Sequence, residues 1–403
     1  MKRKAWYATG TAFAAGTLAI VAAHAAASGG AASAPIVVVY APEPVPSSAT
    51  TLAPASLQAA PVVAATPDFS AVDAAFQNSA IVNGALIIGT KDGTIHEITK
   101  GNFNSDQAYP IASASKWLTG TLLMRMVEAG KVSLGDHAYP GLTYWTSDPA
   151  DKRSAVTLQY LLSLTSGFNA KPTDVSCVNN PLYTLQNCAQ AIYNKGLDTD
   201  PGTTFSYGPE HIQIAAALAE ATSGQSFDAL FAQYVTTPLG MNCTRFVESS
   251  LSAALHLSGK SCTATYAANA NTWAAGGAVS SAHDYAKLLK AFLAGGFISD
   301  MDGFLAPRTV GLARGYIPSS VGSMDWQYAT GSWNECPQSA WDSTCADAKV
   351  NSAPGAFGWL PWIDRKHGYY GLIATRIAVG EGDTKSVPIE QALQPLILAA
   401  LGQ

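Results

Sequence analysis

The stretch IASASKWL, residues 111–118, decides how the rest of the chain is interpreted. It holds a Ser-x-x-Lys tetrapeptide, Ser113 to Lys116, that occurs once in the sequence. Apolar residues follow it at three- to four-residue spacing, and Gly130 ends the pattern. This spacing predicts a helix that begins near Ser113 and carries Lys116 one turn further along the same face.

A serine and a lysine placed in this way have a chemical use. The N–H groups at a helix start are unpaired, and the helix dipole favours negative charge there. A nearby ammonium adds to this effect, so a hydroxyl loses its proton more easily and an oxyanion is easier to hold. We interpret Ser113 as a nucleophile and Lys116 as its activator. Two simpler interpretations stay open: a chance tetrapeptide, expected about once in such a chain, or a serine that only caps the helix.

The composition limits the class of protein. The chain has 403 residues, of which 48% are hydrophobic and 13% charged, and its net charge is -5. This length and apolar share allow a large core in one large domain or two modest ones. Basic residues cluster only at the N-terminus, which argues against nucleic acid as a partner. We expect a monomer.

The N-terminal part has the pattern of an exported protein. The basic start, residues 1–4, precedes a long run rich in Ala and Gly, and a small-x-small site ends at residue 25. We predict a signal peptide over 1–25 and a linker of Ala, Pro, Ser and Val over 26–66. The alternative is an uncleaved membrane anchor, because the apolar run approaches spanning length. The predicted location is the periplasm or the medium, with any membrane tether only through the N-terminus.

Six cysteines form three neighbouring pairs along the chain. An even number in an exported chain suggests disulfides, although the sequence alone allows fifteen connectivities. A metal site would need tighter clusters with histidine nearby, so we expect no metal. The predicted bonds are Cys177–Cys188, Cys243–Cys262 and Cys336–Cys345.

The order of elements predicts an α+β domain over 67–403. A first helix precedes a β-hairpin whose turn contains Asp92-Gly93, a strong hairpin signal. A mainly helical insertion follows, over about 113–345, and two strands near 357–363 and 369–377 precede a last helix over 388–401. These elements predict an antiparallel sheet built from both chain ends, flanked by helices.

Four segments of the chain carry a family resemblance: SASK (113–116) with GKVSL (130–134), LLSLTSG (161–167), FSYG (205–208) and GAFG (355–358). In register, they resemble the serine β-lactamase and penicillin-binding-protein superfamily, nearest to class C β-lactamases and the related family VIII esterases. Their order and separations match that family from about residue 67 to the end of the chain, and the resemblance implies a β-lactamase/transpeptidase-like fold.

The resemblance implies a role for Tyr207 in proton transfer between the nucleophile and the leaving group. A free phenol, with a pKa of about 10, is a poor base at neutral pH. We expect the Lys116 ammonium to lower the pKa of Tyr207, but a desolvated Lys116 could equally be the base itself. The sequence therefore leaves open whether Tyr207 or Lys116 accepts the proton of the nucleophile. The family's oxyanion hole implies two backbone N–H donors, which here would be Ser113 and Ala353.

The departures from the family bear on the substrate. Class C enzymes carry Tyr-x-Asn, but Pro209 stands at the third position, and Val350-Asn351-Ser352 replaces Lys-Thr-Gly. The cation that helps to hold a substrate carboxylate is therefore missing, which favours neutral esters or amides. Lys349, Arg365 and Arg376 are other cations without support from spacing, and we expect His211 to pack rather than to react.

The sequence thus predicts an exported serine hydrolase that forms an acyl-enzyme on Ser113 and needs no cofactor. Its partner would be a small-molecule or short-peptide acyl substrate. Two alternatives stay open. One is a non-catalytic cell-wall or peptide-binding relative of the same fold, and the other is a D-amino-acid peptidase or β-lactamase.

Overall fold

The computed structural model describes residues 66–168, 177–247, 258–263, 270–377 and 382–403. The predicted signal peptide and linker lie outside these ranges. No described helix has the length and apolar character that a membrane crossing requires. The β-strands are β1 Gly84–Thr90, β2 Gly93–Lys100, β3 Tyr109–Pro110, β4 Thr204–Phe205, β5 Arg245–Phe246, β6 Ala278–Ser280, β7 Ala313–Arg314, β8 Gln327–Tyr328, β9 Trp333–Asn334, β10 Val350–Ser352, β11 Leu360–Asp364 and β12 Tyr369–Thr375.

The helices divide between the sheet and the inserted part of the chain. A short 3-10 turn, Ala112–Ala114, immediately precedes α2, and a π-helical segment, Ala232–Thr236, joins α7 to α8. The helices are α1 Ser70–Gln77, α2 Ser115–Glu128, α3 Ala138–Gly141, α4 Leu158–Leu162, α5 Leu185–Lys195, α6 Glu210–Ser223, α7 Phe227–Phe231, α8 Thr237–Leu239, α9 Ala282–Ala294, α10 Met301–Phe304, α11 Ser343–Ala348 and α12 Gly382–Ala400.

The predicted antiparallel sheet is confirmed. Seven strands lie in the order β2-β1-β12-β11-β10-β9-β8, so the two chain ends meet where β1 pairs with β12. Every residue of β12 is buried, which requires packing on both faces of the sheet. Helix α9 packs on β1, β11 and β12, and α12 packs on both α1 and β11. The fold class is therefore α+β, as predicted.

Two predicted boundaries differ from the structure. The sheet resumes at β8, residues 327–328, which is earlier than the predicted end of the insertion at about 345. The last helix begins at Gly382 rather than near Pro388, and Pro388 and Pro395 both lie inside it. Proline favours the first turn of a helix, but Pro388 is the seventh residue of this one, so it does not mark the helix start.

The three disulfides join the predicted partners. Cys177 bonds Cys188, Cys243 bonds Cys262 and Cys336 bonds Cys345. Each closes a loop of 9 to 19 residues, so each constrains only a local part of the chain.

Helix α2 is held between the sheet and the inserted helices. Its first turn is tied to the segment before α9, because Ala278 N donates to Ser115 Oγ (3.0 Å) and Thr119 Oγ1 donates to Ala274 O (2.7 Å). On the sheet side, a β-carbon on Gly120 would collide with Thr330 O. Glycine at this position therefore lets α2 approach the β8–β9 turn closely.

Candidate active site

Ser113 lies in the 3-10 turn that leads into α2. Neither this turn nor α2 has a side-chain capping bond at its start, so the interpretation of Ser113 as a simple N-cap is wrong. The preceding residue, Ala112, has φ +47°, a backbone conformation that residues other than glycine rarely adopt. Strain of this kind persists where the surroundings impose it, often at functional sites.

Lys116 is buried beside Ser113. Only 4% of the residue is exposed, its Nζ lies 3.0 Å from Ser113 Oγ, and it donates to Ala275 O at 2.9 Å. Burial lowers the pKa of Lys116 to about 7, although the charge of Glu210 opposes this shift. A large part of Lys116 is therefore neutral at neutral pH, and a neutral amine can accept a proton.

Tyr207 is the third predicted site residue, and it lies beside Lys116. Its ring stacks on Trp333, with centroids 5.6 Å apart and planes at 13°, and Lys116 Nζ lies 4.6 Å from the centroid of the Tyr207 ring. Burial raises the pKa of Tyr207, a hydrogen bond with Ser113 opposes this, and the charge of Asp383 adds to it. The expected lowering of the Tyr207 pKa by Lys116 is thus wrong: burial is the largest cause and raises the pKa, and the charge of Lys116 is not among the causes. Tyr207 stays protonated at neutral pH and can donate a proton.

The backbone around Tyr207 is fixed by buried hydrogen bonds. Tyr207 N donates to Tyr316 O at 2.8 Å. His211 Nε2 donates to Ser206 O (3.0 Å), so its Nδ1 accepts from Ser166 Oγ (2.7 Å). Burial lowers the pKa of His211 to about 3. His211 is therefore neutral and packs below the site, as the sequence analysis expected.

The structure contradicts Ala353 as an oxyanion donor. Its N–H donates to Pro361 O at 3.1 Å, toward strand β11. Successive N–H groups of a strand point to opposite sides, so a one-residue difference in register decides which of them faces the site. The N–H groups of Ser113, Ala356 and Phe357 have no backbone acceptor among the described residues, and all three residues line the cavity in front of Ser113. Ser113 and this turn are the better-placed donors.

A cavity of about 360 Å³ opens in front of Ser113. This volume suits a small molecule. Besides Ser113, Lys116 and Tyr207, its described wall consists mainly of small and apolar residues and includes four further aromatic side chains. The aromatic residues at the wall are Trp273, Tyr316, Trp333 and Phe357.

The cations considered in the sequence analysis lie away from the cavity. Lys349 ends α11 in a left-handed conformation (φ +52°) and lies 3.8 Å from Asp302, which also pairs with Arg365. Arg376 is exposed. Lys116 is the only basic side chain among the described residues of the wall. The sequence analysis inferred, from Val350 in place of lysine, that the cation for a substrate carboxylate is missing. No other basic residue in the described part of the wall takes its place.

Two carboxyl groups near the site were not singled out in the sequence analysis. Glu210, the first residue of α6, is 1% exposed, and neither of its oxygens has a hydrogen-bond partner in the described part of the chain. Burial raises the pKa of Glu210 to about 8. Asp383, in the first turn of α12, lines the cavity. The distance of Glu210 from Tyr207, three residues, was a usable signal, whereas nothing in the sequence linked Asp383 to the site.

We expect Glu210→Gln to simplify the pH dependence of activity. The pKa values of Lys116 and Glu210, about 7 and 8, are close, so the two groups titrate as a pair. The other charges that act on Glu210 are those of Lys195 and Asp198. Without the Glu210 carboxylate, Lys116 loses its proton more easily, so the acid limb of kcat/KM should move to lower pH and follow a single titration.

The measurement is kcat/KM between pH 5 and 9 for both proteins. The control is Glu335→Gln, which changes another buried carboxyl that lies outside the cavity wall. An unmoved acid limb in Glu210→Gln, or an equal movement in the control, would refute the coupling.

Comparison with known proteins identifies the family. The Beta-lactamase family model matches residues 72–394. The chain belongs to this family. It is 28% identical over 169 residues to penicillin-binding protein 4 of Amycolatopsis lactamdurans, a match that covers 40% of this chain and 44% of that protein. The chain thus spans less than half the length of this curated relative.

Solved structures share this fold. One from Bacteroides dorei, described as a candidate β-lactamase, has a TM-score of 0.66 and 23% identity, covering 84% of this chain and all of that one. EstCE1, described as a hydrolase with promiscuous acyltransferase activity, has a TM-score of 0.60 and 16% identity, covering 82% and 96%. At these identities the likeness concerns the fold. No described group of three or more His, Cys, Asp or Glu side chains could hold a metal ion.

Proposed function

We propose that this protein is an exported serine hydrolase that cleaves an ester or amide through an acyl-enzyme on Ser113. The observation that carries the proposal is the group of three side chains at the cavity. Lys116 Nζ lies 3.0 Å from Ser113 Oγ and 4.6 Å from the centroid of the Tyr207 ring, and all three residues line the same cavity. A nucleophile in hydrogen-bond contact with a base, with an acid beside them, is an arrangement that suits acyl transfer.

The first half of the reaction acylates the serine. Neutral Lys116 takes the proton of Ser113 Oγ as that oxygen attacks the carbonyl carbon. The negative charge moves to the carbonyl oxygen, which the N–H of Ser113 and the turn at Ala356 and Phe357 stabilise. When the tetrahedral intermediate collapses, Tyr207 gives its proton to the leaving group and recovers one from the Lys116 ammonium.

The second half releases the acyl group. Lys116 is neutral again, so it can take a proton from water while the water oxygen attacks the acyl carbon. Collapse of this second intermediate breaks the bond to Ser113 Oγ, which takes back a proton from the Lys116 ammonium, and the acid product leaves. No cofactor enters either half of the cycle.

The substrate class follows from the cavity. Apart from Lys116, the described residues of its wall include no basic side chain that could hold a substrate carboxylate, so an ester or amide is favoured over a β-lactam or a free C-terminal peptide. The printed description of EstCE1, a hydrolase with acyltransferase activity, agrees with acyl chemistry on this fold. The three disulfides agree with export to an oxidising compartment.

The test is labelling by a fluorophosphonate together with hydrolysis of short-chain esters. We expect the probe to modify Ser113, found by mass spectrometry of the digested protein, and we expect Ser113→Ala to abolish labelling and turnover. The matched control is Ser133→Ala, an exposed serine outside the cavity wall. An intact fold that neither reacts nor turns over would instead support a binding protein of the same family, and rapid cephalosporin hydrolysis without ester hydrolysis would overturn the substrate class.

A further inference from the structure

We infer that the substrate of Ser113 carries an ammonium group close to the carbonyl that is attacked, and that Asp383 is the carboxylate that binds it. The substrate class would then be aminoacyl esters or amides. This inference rests on the proposed function and adds to it the charge of the substrate.

The start of α12 brings Asp383 to the cavity. Gly382 N donates to Ala356 O at 3.1 Å, and a β-carbon on Gly382 would collide with the backbone at Phe357 and Gly358. Only glycine permits this close approach. The next residue, Asp383, consequently lies at the cavity wall, together with Ala356 and Phe357.

The Asp383 carboxylate keeps capacity for a ligand. Its Oδ2 accepts from Ser320 Oγ at 2.7 Å and its Oδ1 accepts from Thr384 N at 3.1 Å. A carboxylate can accept about four hydrogen bonds, so these two contacts orient the group without exhausting it. No Lys, Arg or His within the described ranges forms an ion pair with Asp383.

The charge of Asp383 acts at the reacting groups. It is among the causes that raise the pKa of Tyr207, so its field reaches the phenol beside Ser113. Lys116, the one basic side chain among the described wall residues, is neutral when it acts as the base. The described wall is then negative overall. Such a wall attracts a cation and repels a carboxylate.

Asp383 also has a structural role that must be separated from recognition. An acidic residue in the first turn of a helix is stabilised by the helix dipole. Asp383→Asn removes the charge, and with it the small stabilisation by the helix dipole, while keeping the shape and an oxygen that can accept from Ser320 Oγ. A change in selectivity with no more than this small loss of stability therefore reports on recognition.

The experiment compares three 4-nitroanilides in both configurations of alanine: alanine with a free amine, N-acetylalanine and N-succinylalanine. We expect kcat/KM to be about tenfold or more higher for the free amine than for the acetyl derivative, and lowest for the succinyl derivative. Asp383→Asn should remove most of this preference. Asp347→Asn, an exposed aspartate outside the cavity wall, is the matched control and should leave it unchanged.

A second measurement does not depend on turnover. Isothermal titration of alaninamide and of N-acetylalaninamide into Ser113→Ala should show tighter binding of the free amine, lost in Ser113→Ala/Asp383→Asn. Equal affinities, equal hydrolysis of the acetyl derivative, or an equal loss for all substrates in Asp383→Asn would overturn the inference. Fluorophosphonate labelling of Ser113 separates the proposed hydrolase function from the proposed role of Asp383. Labelling of Ser113 without a preference for the free amine would contradict only the role of Asp383.

Discussion

Lys116→Met should lower kcat/KM by about 10²- to 10⁴-fold, the range that a positioned general base contributes. Methionine fills a similar volume but cannot take the proton of Ser113. The Lys116 side chain is almost fully buried and its Nζ contacts both Ser113 Oγ and Ala275 O. It is the one basic side chain among the described residues of the cavity wall, so no other amine there can take over its role.

The loss should be catalytic rather than structural. Removing a buried amine relieves its desolvation cost, whereas leaving Ala275 O without a donor costs about 1–3 kcal/mol. These effects oppose each other, so Tm should change by only a few degrees. Steady-state kinetics and thermal denaturation check both points, with the exposed Lys366→Met as the control. Activity within threefold of the unmodified protein would exclude Lys116 as the base.

Tyr207→Phe should produce a loss that depends on the leaving group. The pKa of Tyr207 is raised by burial, so the phenol is protonated at neutral pH and suited to donate to a departing oxygen or nitrogen. An alkoxide or amine needs that proton, and we expect kcat/KM for alkyl esters and amides to fall by about 10²- to 10⁴-fold. A 4-nitrophenolate leaves without a proton, so its ester should lose less than about tenfold in kcat/KM.

The measurement is kcat/KM for matched ethyl and 4-nitrophenyl esters of one acid. Tyr139→Phe, a tyrosine outside the cavity wall, is the control. An equal loss for both esters would show that Tyr207 acts on the attack by Ser113 and not on the leaving group, and no loss for either would remove Tyr207 from the reaction.

The sequence could predict the parts of the site that depend on local spacing. Ser113 and Lys116 follow from one tetrapeptide at the start of a helix with regular apolar spacing, and the β1–β2 hairpin follows from Asp92-Gly93. Tyr207 is one of 16 tyrosines, and only the family resemblance distinguished it. Its approach to Ser113 depends on bonds from residues distant in sequence, such as the one from its N–H to Tyr316 O.

The remaining features depend on tertiary structure. The direction of the Ala353 N–H is set by the pairing of β10 with β11, which no local pattern reveals. The pKa of Tyr207 was expected to fall because a cation was near, but burial dominates and burial is a property of the packed chain. Asp383 reaches the cavity only because Gly382 lets α12 begin against the turn at Ala356.

The most direct test of the central claim, that neutral Lys116 activates Ser113, is the pH dependence of fluorophosphonate labelling at Ser113. The pKa of Lys116 is lowered to about 7, so the neutral amine that can accept a proton becomes the main form above that pH. We therefore expect the labelling rate to rise as pH increases through about 7 and then to level off, and we expect this step to vanish in Lys116→Met. A rate that is independent of pH between 5 and 9, or the same step in Lys116→Met, would contradict the claim.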